Sequence, residues 1–211
     1  MIVVAGGAPP HPGARALLPA GASVVAADGG LDHALALGLH VDVAIGDFDS
    51  ASDGAVAKAA EAGTRIERHP AAKDATDLEL ALDAAAALDP GRVVVLGALE
   101  GRLDHLLSAL LSLGATRYAG FELDALLDRA TVHVIRYERL LRGERGELLS
   151  LLPLHGPAEG VTTDGLVYPL RGETLPPGSS RGVSNVFAAE EARVTLERGV
   201  LLAVRPGEVA E

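Results

Sequence analysis

The sequence predicts an α/β N-terminal domain with a mostly parallel sheet, followed by an all-β sandwich domain. Up to about residue 130, short apolar runs alternate with helix-patterned segments, and their connections are short enough for βαβ units. Beyond that point, brief β-type runs are separated by Gly, Pro, Asp and Ser clusters. We therefore predict two domains, residues 1–136 and 137–211, of which the first is Rossmann-like with its ligand site at the strand ends.

In the first domain, strands and helices follow one another in a regular order. Apolar runs predict strands at residues 1–5, 23–26, 43–46, 64–67 and 93–96. Leucine spacing, capping residues and terminal glycines predict helices at residues 31–37, 53–62, 77–88 and 102–113. Before the third helix, Thr76 is the expected N-cap, with Glu79 completing a capping box.

The second domain is predicted to contain strands only. The β-type runs lie at residues 131–137, 147–152, 161–163, 166–170, 192–196 and 200–204. This part of the sequence shows no helical periodicity, no repeat and no low-complexity linker.

Composition excludes several classes of function. The 211 residues contain no cysteine, which rules out disulfides, thiolate zinc sites and cysteine nucleophiles and makes a cytoplasmic location the expectation. The net charge of −11 and the absence of a basic stripe argue against a nucleic-acid partner. No apolar run reaches the ~18 residues of a membrane helix, so no membrane association is expected.

Aspartates recur where the predicted strands end, at Asp28, Asp47, Asp49, Asp74, Asp77 and Asp104. Because parallel strands share one carboxyl edge, these acids are expected to gather there, where they repel one another unless a divalent cation binds. Oxygen ligands favour Mg²⁺ or Mn²⁺. Helix capping alone explains Asp28 and Asp77, but it does not explain the basic neighbours Lys73 and Arg102, which can clamp phosphate oxygens. Metal–phosphate chemistry is therefore the preferred interpretation.

A series of motifs resembles, in order, the motifs of thiamine pyrophosphokinases (thiamine diphosphokinases). In the first half they are Ala27-Asp28-Gly29-Gly30, Gly46-Asp47-Phe48-Asp49-Ser50, Lys73-Asp74-Ala75-Thr76-Asp77-Leu78-Glu79 and Gly101-Arg102-Leu103-Asp104-His105. In the second half they are Ser150-Leu151-Leu152-Pro153-Leu154, Gly160-Val161-Thr162, Gly165-Leu166-Val167-Tyr168-Pro169-Leu170 and Gly182-Val183-Ser184-Asn185. Each motif is a weak signal by itself, whereas the ordered series over nearly the whole chain is a strong one.

The resemblance implies an enzyme that transfers the pyrophosphoryl group of ATP to the hydroxyl of thiamine, giving thiamine diphosphate and AMP. It implies that residues 1–136 form the catalytic domain that binds ATP and Mg²⁺. Residues 137–211 would form the domain that binds thiamine and mediates dimerisation, in a homodimer. Mg²⁺ is the implied cofactor and ATP the co-substrate.

The resemblance also implies roles for individual residues. The catalytic metal and phosphate residues would be Asp47, Asp74, Asp77 and Asp104, with Lys73 and Arg102 holding phosphates. The other implied cofactor- and substrate-binding residues are Asp28, Gly29, Gly30, Asp49, Ser50, Thr76 and His105, with Ser184 and Asn185 against thiamine. Asp104 and Asp77 are both candidates for the base. Members of the family can place a tryptophan near thiamine, and this chain has none; Leu201, Leu202 and Tyr168 are the apolar candidates.

Two alternatives remain at this stage. One is a pyrophosphokinase that acts on another alcohol, such as a hydroxymethyl pterin, and such an enzyme need not keep the Ser184-Asn185 segment. The other is a non-catalytic nucleotide-binding module. The mutual repulsion of so many carboxylates argues against the second alternative, because a module that only binds nucleotide gains nothing from it.

Overall fold

The structure, a computed structural model, describes residues 1–72, 74–97 and 101–207. Contacts divide the chain into two compact units. The first comprises Met1–Ser112 and Gly120–Asp128, and the second comprises Leu113–Ala119 and the chain from Arg129 onward.

Strands and helices alternate in the first unit, as the hydrophobic patterns predict. The strands are β1 (Ile2–Val4), β2 (Val24–Ala27), β3 (Val43–Gly46), β4 (Arg65–Arg68), β5 (Arg92–Gly97) and β6 (Glu122–Leu127). The helices are α1 (Gly30–Ala36), α2 (Asp53–Glu61), α3 (Asp77–Ala86) and α4 (Leu103–Leu113), and short 3-10 helices cover Pro12–Leu17 and Thr116–Tyr118. Strand β6 was not predicted. The capping box of α3 is confirmed: the Glu79 N–H donates to Thr76 Oγ1 at 3.2 Å, and the Thr76 N–H donates to Glu79 Oε2 at 3.2 Å.

The strands of the first unit pair in the order β4-β3-β2-β1-β5-β6, and these pairings are parallel. β1, β2 and β3 are buried along their whole length, as expected for strands covered on both faces. Because all the strands run in one direction, the loops after β2, β3, β4 and β5 begin at the same edge of the sheet. This edge carries the aspartate motifs.

The second unit contains antiparallel strands around its own hydrophobic core. The strands are β7 (Ala130–Ile135), β8 (Glu138–Arg142), β9 (Leu148–Asp164), β10 (Glu173–Leu175), β11 (Asn185–Val186), β12 (Glu191–Thr195) and β13 (Arg198–Arg205). The long strand β9 pairs with β10, β11, β12 and β13. Strand pairing over the chain is therefore mixed: a sheet with helices is followed by a β-sandwich-like unit.

Several predictions for the second half differ from the structure. Residues 131–136, assigned to the first domain from sequence, lie mostly in β7, which pairs with β13 in the second unit. The predicted strand at residues 166–170 is wrong: only an isolated bridge between Leu166 and Phe187 forms there. Two of its N–H groups turn to side chains, since the Tyr168 N–H donates to Asn185 Oδ1 and the Leu170 N–H to Thr163 Oγ1. Strands β8, β10 and β11 were not predicted, and β9 joins two predicted strands.

Helix α4 has an apolar surface that faces solvent. Leu103, Leu107 and Leu111 recur every four residues and are 68%, 51% and 49% exposed. Their spacing places them on one face of the helix. Across the described part of the chain, none of the helices is both long enough and apolar enough to cross a membrane.

Candidate active site

Three aspartate side chains meet at the carboxyl edge of the parallel strands. One oxygen each from Asp28, Asp47 and Asp49 lies within 4.8 Å of the others. Asp28 follows β2 and is buried. Asp47 and Asp49 follow β3; Asp47 is half-buried and Asp49 is exposed. Within residues 1–72, 74–97 and 101–207, no other group of three acidic or histidine side chains comes this close together. We refer to these three residues as the carboxylate cluster.

Two left-handed backbone positions assemble the carboxylate cluster. Asp28 has a φ of 47° and Phe48 a φ of 62°. Aspartate tolerates this region, whereas it costs phenylalanine on the order of 1–3 kcal/mol unless the surroundings hold it. The Phe48 ring is held, since it is only 8% exposed and belongs to the hydrophobic core of the first unit. The turn at Phe48 brings the Asp49 N–H back to Asp47 Oδ1 at 3.3 Å.

Glycine is required at two positions next to the cluster. A Cβ on Gly30 would lie 2.2 Å from the Val4 carbonyl oxygen, so only glycine lets α1 begin this close to β1. Gly46 has a φ of 153°, and a Cβ there would lie 3.0 Å from Asp28 Cβ and 3.0 Å from Asp77 Oδ1. At Gly29, a Cβ would lie 3.2 Å from the Ser50 carbonyl oxygen. Close packing thus accounts for Gly30 and Gly46 without any ligand.

The electrostatics of Asp28 suit a bound cation. Burial raises the pKa of the Asp28 carboxyl above its ordinary value, and the charges of Asp77 and Asp49 raise it further; the Gly29 N–H and the Ser50 hydroxyl act in the opposite direction. Among the described residues, Asp28 Oδ1 is buried and has no hydrogen-bond partner. A buried acceptor without a donor is costly, and a divalent cation that takes oxygen ligands removes that cost. The donor set of the cluster therefore fits Mg²⁺ or Mn²⁺.

The motif Lys73–Glu79 contributes one acid to the neighbourhood of the cluster. Asp77, the first residue of α3, is half-buried beside Gly46, and its charge acts on Asp28. Asp74 is exposed and lies outside the carboxylate cluster. Thr76 caps α3, which accounts for its hydroxyl structurally. Lys73 lies outside the described residues.

Arg102 and Asp104 bind each other at the start of α4. The Arg102 guanidinium donates to both Asp104 oxygens, with Nε–Oδ1 3.2 Å and Nη2–Oδ2 2.6 Å. This pair lowers the pKa of the Asp104 carboxyl to about 2. Both side chains are exposed, at 70% and 65%, as is the neighbouring His105. The pair is thus a surface salt bridge in this structure, available for a ligand that displaces one partner.

The second unit contains a cavity of about 440 Å³, lined by Tyr168, Leu170 and residues 179–185. Of the residues predicted beside thiamine, Ser184, Asn185 and Tyr168 belong to its lining, whereas Leu201 and Leu202 are buried and do not. Ser184 is exposed and has a φ of 55°. Its backbone N–H donates to the Ser150 hydroxyl oxygen at 3.0 Å. The cavity volume is within the range of small-molecule sites.

Asn185 is committed to the protein backbone. Its side chain is 2% exposed. Oδ1 accepts from the N–H groups of Tyr168 at 3.0 Å and Val186 at 2.9 Å, and Nδ2 donates to the Tyr168 carbonyl oxygen at 2.7 Å. Asn185 therefore shapes the cavity wall by holding Tyr168, whose side chain is 57% exposed.

Sequence reasoning missed Arg68, the last residue of β4. Its guanidinium carbon lies 5.1 Å from the centroid of the Phe48 ring. In the sequence, Phe48 stands between Asp47 and Asp49 of the carboxylate cluster. The predicted strand ended one residue earlier, at Glu67. A basic residue at a strand end, shortly before an aspartate motif, was the signal available.

Comparison with known proteins covers most of the chain. Residues 14–123 match the family model described as "Thiamin pyrophosphokinase, catalytic domain", and residues 131–201 match "Thiamin pyrophosphokinase, vitamin B1 binding domain". A thiamine pyrophosphokinase of Bacillus subtilis is 27% identical over 169 residues, which is 77% of this chain and 77% of the relative.

Solved structures share the fold over nearly the full length. The crystal structure of thiamine pyrophosphokinase from Bacillus subtilis matches with a TM-score of 0.83 and 24% identity, covering 100% of this chain and 98% of the other. A thiamin pyrophosphokinase family protein from Enterococcus faecalis matches with a TM-score of 0.81 and 28% identity, covering 97% of each chain. The first of these similarities is evidence for the fold alone. Since the catalytic-domain family model spans more than half of the residues, the chain belongs to the thiamin pyrophosphokinase family.

Proposed function

We propose that this chain transfers the pyrophosphoryl group of ATP to the hydroxyl of thiamine, giving thiamine diphosphate and AMP. The carboxylate cluster carries the proposal, because it lies at the edge of the sheet where α/β proteins bind ligands, within the part of the chain that matches the catalytic domain. A buried carboxylate oxygen with no donor, surrounded by further acids, suits a metal-dependent reaction of phosphates.

Mg²⁺ is the proposed cofactor, and Asp28, Asp47 and Asp49 are the residues that would hold it. Their grouped oxygens and the buried Oδ1 of Asp28 support this assignment. The motif-based metal roles of Asp74, Asp77 and Asp104 remain part of the proposal, and Asp77 has the additional support of its position beside Gly46. When bound, the ion offsets the negative charge of the phosphates.

The remaining chemistry asks little of the protein beyond positioning, since phosphoryl-type transfer needs alignment and charge neutralisation. Arg102 is the proposed phosphate clamp, and its fork now faces Asp104. With a pKa of about 2, Asp104 is a poor proton acceptor as long as that pair is intact. Asp77 is therefore the preferred acceptor for the thiamine hydroxyl proton. Activity falls at low pH where the base becomes protonated, so loss of the acidic limb of the kcat–pH profile in Asp104→Asn, with that limb retained in Asp77→Asn, would contradict this choice.

The cavity of the second unit is the proposed site for thiamine. Exposed Tyr168 and Ser184 offer an aromatic surface and a hydroxyl to a heteroaromatic ring. We assign ATP and Mg²⁺ to residues 1–136, as a Rossmann-like domain, and thiamine and dimerisation to residues 137–211. The parallel pairing of β1 to β6 supports the first assignment. We also predict that the nucleotide contacts a set of residues in the first domain, namely Gly29, Gly30, Ser50, Thr76 and His105.

Replacing Asn185 with alanine is expected to raise the thiamine KM and leave ATP binding nearly unchanged. The substitution removes three hydrogen bonds that hold Tyr168 and Val186, so the wall of the cavity loosens. We expect kcat/KM for thiamine to fall by about 10- to 100-fold and the melting temperature to fall as well, because buried N–H groups lose their acceptor. Steady-state kinetics with each substrate varied in turn checks this. An ATP KM that rises while the thiamine KM is unchanged would contradict it.

A homodimer is the proposed assembly. The exposed leucine face of α4 supports an interface with a second copy, because contiguous apolar surface marks interaction sites. Since α4 belongs to residues 1–136, this face supports the dimer but not the assignment of dimerisation to residues 137–211. Sedimentation as a single species of 21.6 kDa at micromolar concentration would argue against it. A cytoplasmic location and the absence of nucleic-acid and membrane partners are proposed with it, in line with the absence of cysteine and the charge of −11.

The decisive experiment measures AMP and thiamine diphosphate together. Purified protein is incubated with ATP and Mg²⁺ and with thiamine, a hydroxymethyl pterin or no acceptor. We expect equal amounts of AMP and thiamine diphosphate with thiamine, and no AMP above background otherwise. AMP with the pterin alone would favour the other alcohol, and ATP binding without AMP formation would favour a non-catalytic module.

A further inference from the structure

We propose that Arg68 binds the polyphosphate chain of ATP, with the Phe48 ring as the platform that holds its guanidinium in place. The proposal rests on the proposed function, since it takes ATP as the ligand. It assigns a specific contact to a residue outside every motif that the sequence analysis singled out.

The position of Arg68 follows from the register of the sheet. β4 pairs in parallel with β3, and Arg68 stands opposite Gly46, the residue just before Asp47. The His69 N–H continues this pairing by donating to the Gly46 carbonyl oxygen at 3.0 Å. Arg68 therefore ends its strand at the same edge as the carboxylate cluster, on the neighbouring strand.

The platform beneath Arg68 is rigid. Phe48 is buried in the core of the first unit, which holds its ring in place, and its φ is 62°. The Arg68 guanidinium carbon lies 5.1 Å from the ring centroid, which is within the range of a cation–π contact. A guanidinium that stacks through its face leaves its N–H groups at the edge available for a ligand.

Unlike Arg65, Arg92 and Arg102 of the first unit, Arg68 has no acidic partner among the described residues. Arg65 of the same strand binds Glu67 at 2.8 Å, Arg92 binds Asp124 and Arg102 binds Asp104. Over the residues that the structure describes, the Arg68 side chain makes no hydrogen bond and no ion pair, although the neighbouring strand β3 leads into the carboxylate cluster. An arginine whose donors are unused, at the edge of the sheet where phosphates are expected, suits bidentate recognition of phosphate oxygens.

A structural role alone does not account for this arrangement. Arg68 is exposed, so covering one face of Phe48 contributes little to the free energy of unfolding. Any long apolar side chain, such as methionine, can cover the ring as well. Arg68→Met therefore keeps the cover over the Phe48 ring but removes phosphate binding. Arg68→Lys keeps the positive charge but loses the two-pronged guanidinium.

The test measures direct binding of ATP and of AMP by calorimetry, in Mg²⁺ and without thiamine, to the wild type, Arg68→Met, Arg68→Lys and Arg65→Met. We expect Arg68→Met to raise the Kd for ATP by about 10- to 100-fold and to leave the Kd for AMP within about twofold. Arg68→Lys should give an intermediate loss for ATP. Arg65→Met, from the same strand but already paired with Glu67, is the matched control and should bind both nucleotides like the wild type.

The outcomes are distinct. An unchanged Kd for ATP in Arg68→Met, or equal losses for ATP and AMP, would overturn the role of Arg68 in binding the polyphosphate chain. If Arg68→Met fails to fold, as judged by circular dichroism, the ratio of ATP to AMP affinity in Arg68→Lys decides in its place, and a ratio equal to that of the wild type overturns the proposal. Failure of the wild type itself to bind ATP would instead contradict the proposed function.

Discussion

Removing divalent cations is expected to abolish AMP formation and most of the affinity for ATP. Three carboxylates lie within 4.8 Å of one another in a protein of net charge −11, so a polyphosphate that approaches them without a cation meets strong repulsion. The buried Asp28 Oδ1 has no hydrogen-bond partner in the described part of the chain to lessen its charge. A bound divalent ion would offset two of these negative charges and give the phosphate oxygens a cation to bind.

The measurement is AMP formation and ATP binding before and after dialysis against EDTA, with Mg²⁺ then restored in steps. EDTA already saturated with Mg²⁺ is the control and should have no effect. Because ATP itself carries Mg²⁺, Mn²⁺ binding to the protein without nucleotide, followed by electron paramagnetic resonance, tests the cluster separately. Full turnover in metal-free buffer would show that the metal site proposed here is wrong.

Replacing Asp28 with asparagine should decrease activity by at least about 100-fold and keep or raise the stability of the metal-free protein. Asparagine has the same shape as aspartate and tolerates the left-handed φ of 47°, so the backbone has no reason to change. It removes one charge from a buried site where Asp49 and Asp77 repel it. We expect the melting temperature in EDTA to rise by about 2–4 °C at neutral pH.

The pH dependence of this stability gain has a definite sign. Burial raises the pKa of Asp28 in the folded state, so its ionised form destabilises the folded protein at neutral pH, and this penalty disappears as the pH falls below the ordinary value of 3.8. In metal-free buffer the advantage of Asp28→Asn should therefore shrink as the pH is lowered towards 4. Thermal melts of both proteins across this range check it.

Asp89→Asn is the matched control for Asp28→Asn. Asp89 also has a left-handed φ, of 48°, but it is exposed in the turn after α3 and lies outside the carboxylate cluster. We expect it to leave both activity and melting temperature nearly unchanged. If Asp28→Asn has wild-type turnover at saturating Mg²⁺, and if both variants still bind Mn²⁺, then Asp28 is a structural residue and not a metal ligand.

Local patterns in the chain were sufficient for the first unit. Apolar runs and helical spacing located β1 to β5 and α1 to α4, and the Thr76 capping box was correct in both of its hydrogen bonds. These features depend on residues within a few positions of one another, so the sequence contains all that is needed to find them. The same holds for part of the predicted gathering of aspartates at strand ends, since Asp28, Asp47 and Asp49 meet there whereas Asp74 and Asp104 lie outside the cluster.

Side-chain partners across the sheet came only from the tertiary structure. The sequence left open which acids meet, and the structure joins Asp47 to Asp28 and Asp49, while Asp104 binds Arg102. Likewise the Leu166–Leu170 segment has the composition of a strand, yet the buried side chains of Asn185 and Thr163 accept the N–H groups of Tyr168 and Leu170. The carboxylate cluster depends on left-handed backbone at Asp28 and Phe48, and the Tyr168–Asn185 contact joins residues 17 positions apart. No local periodicity encodes either.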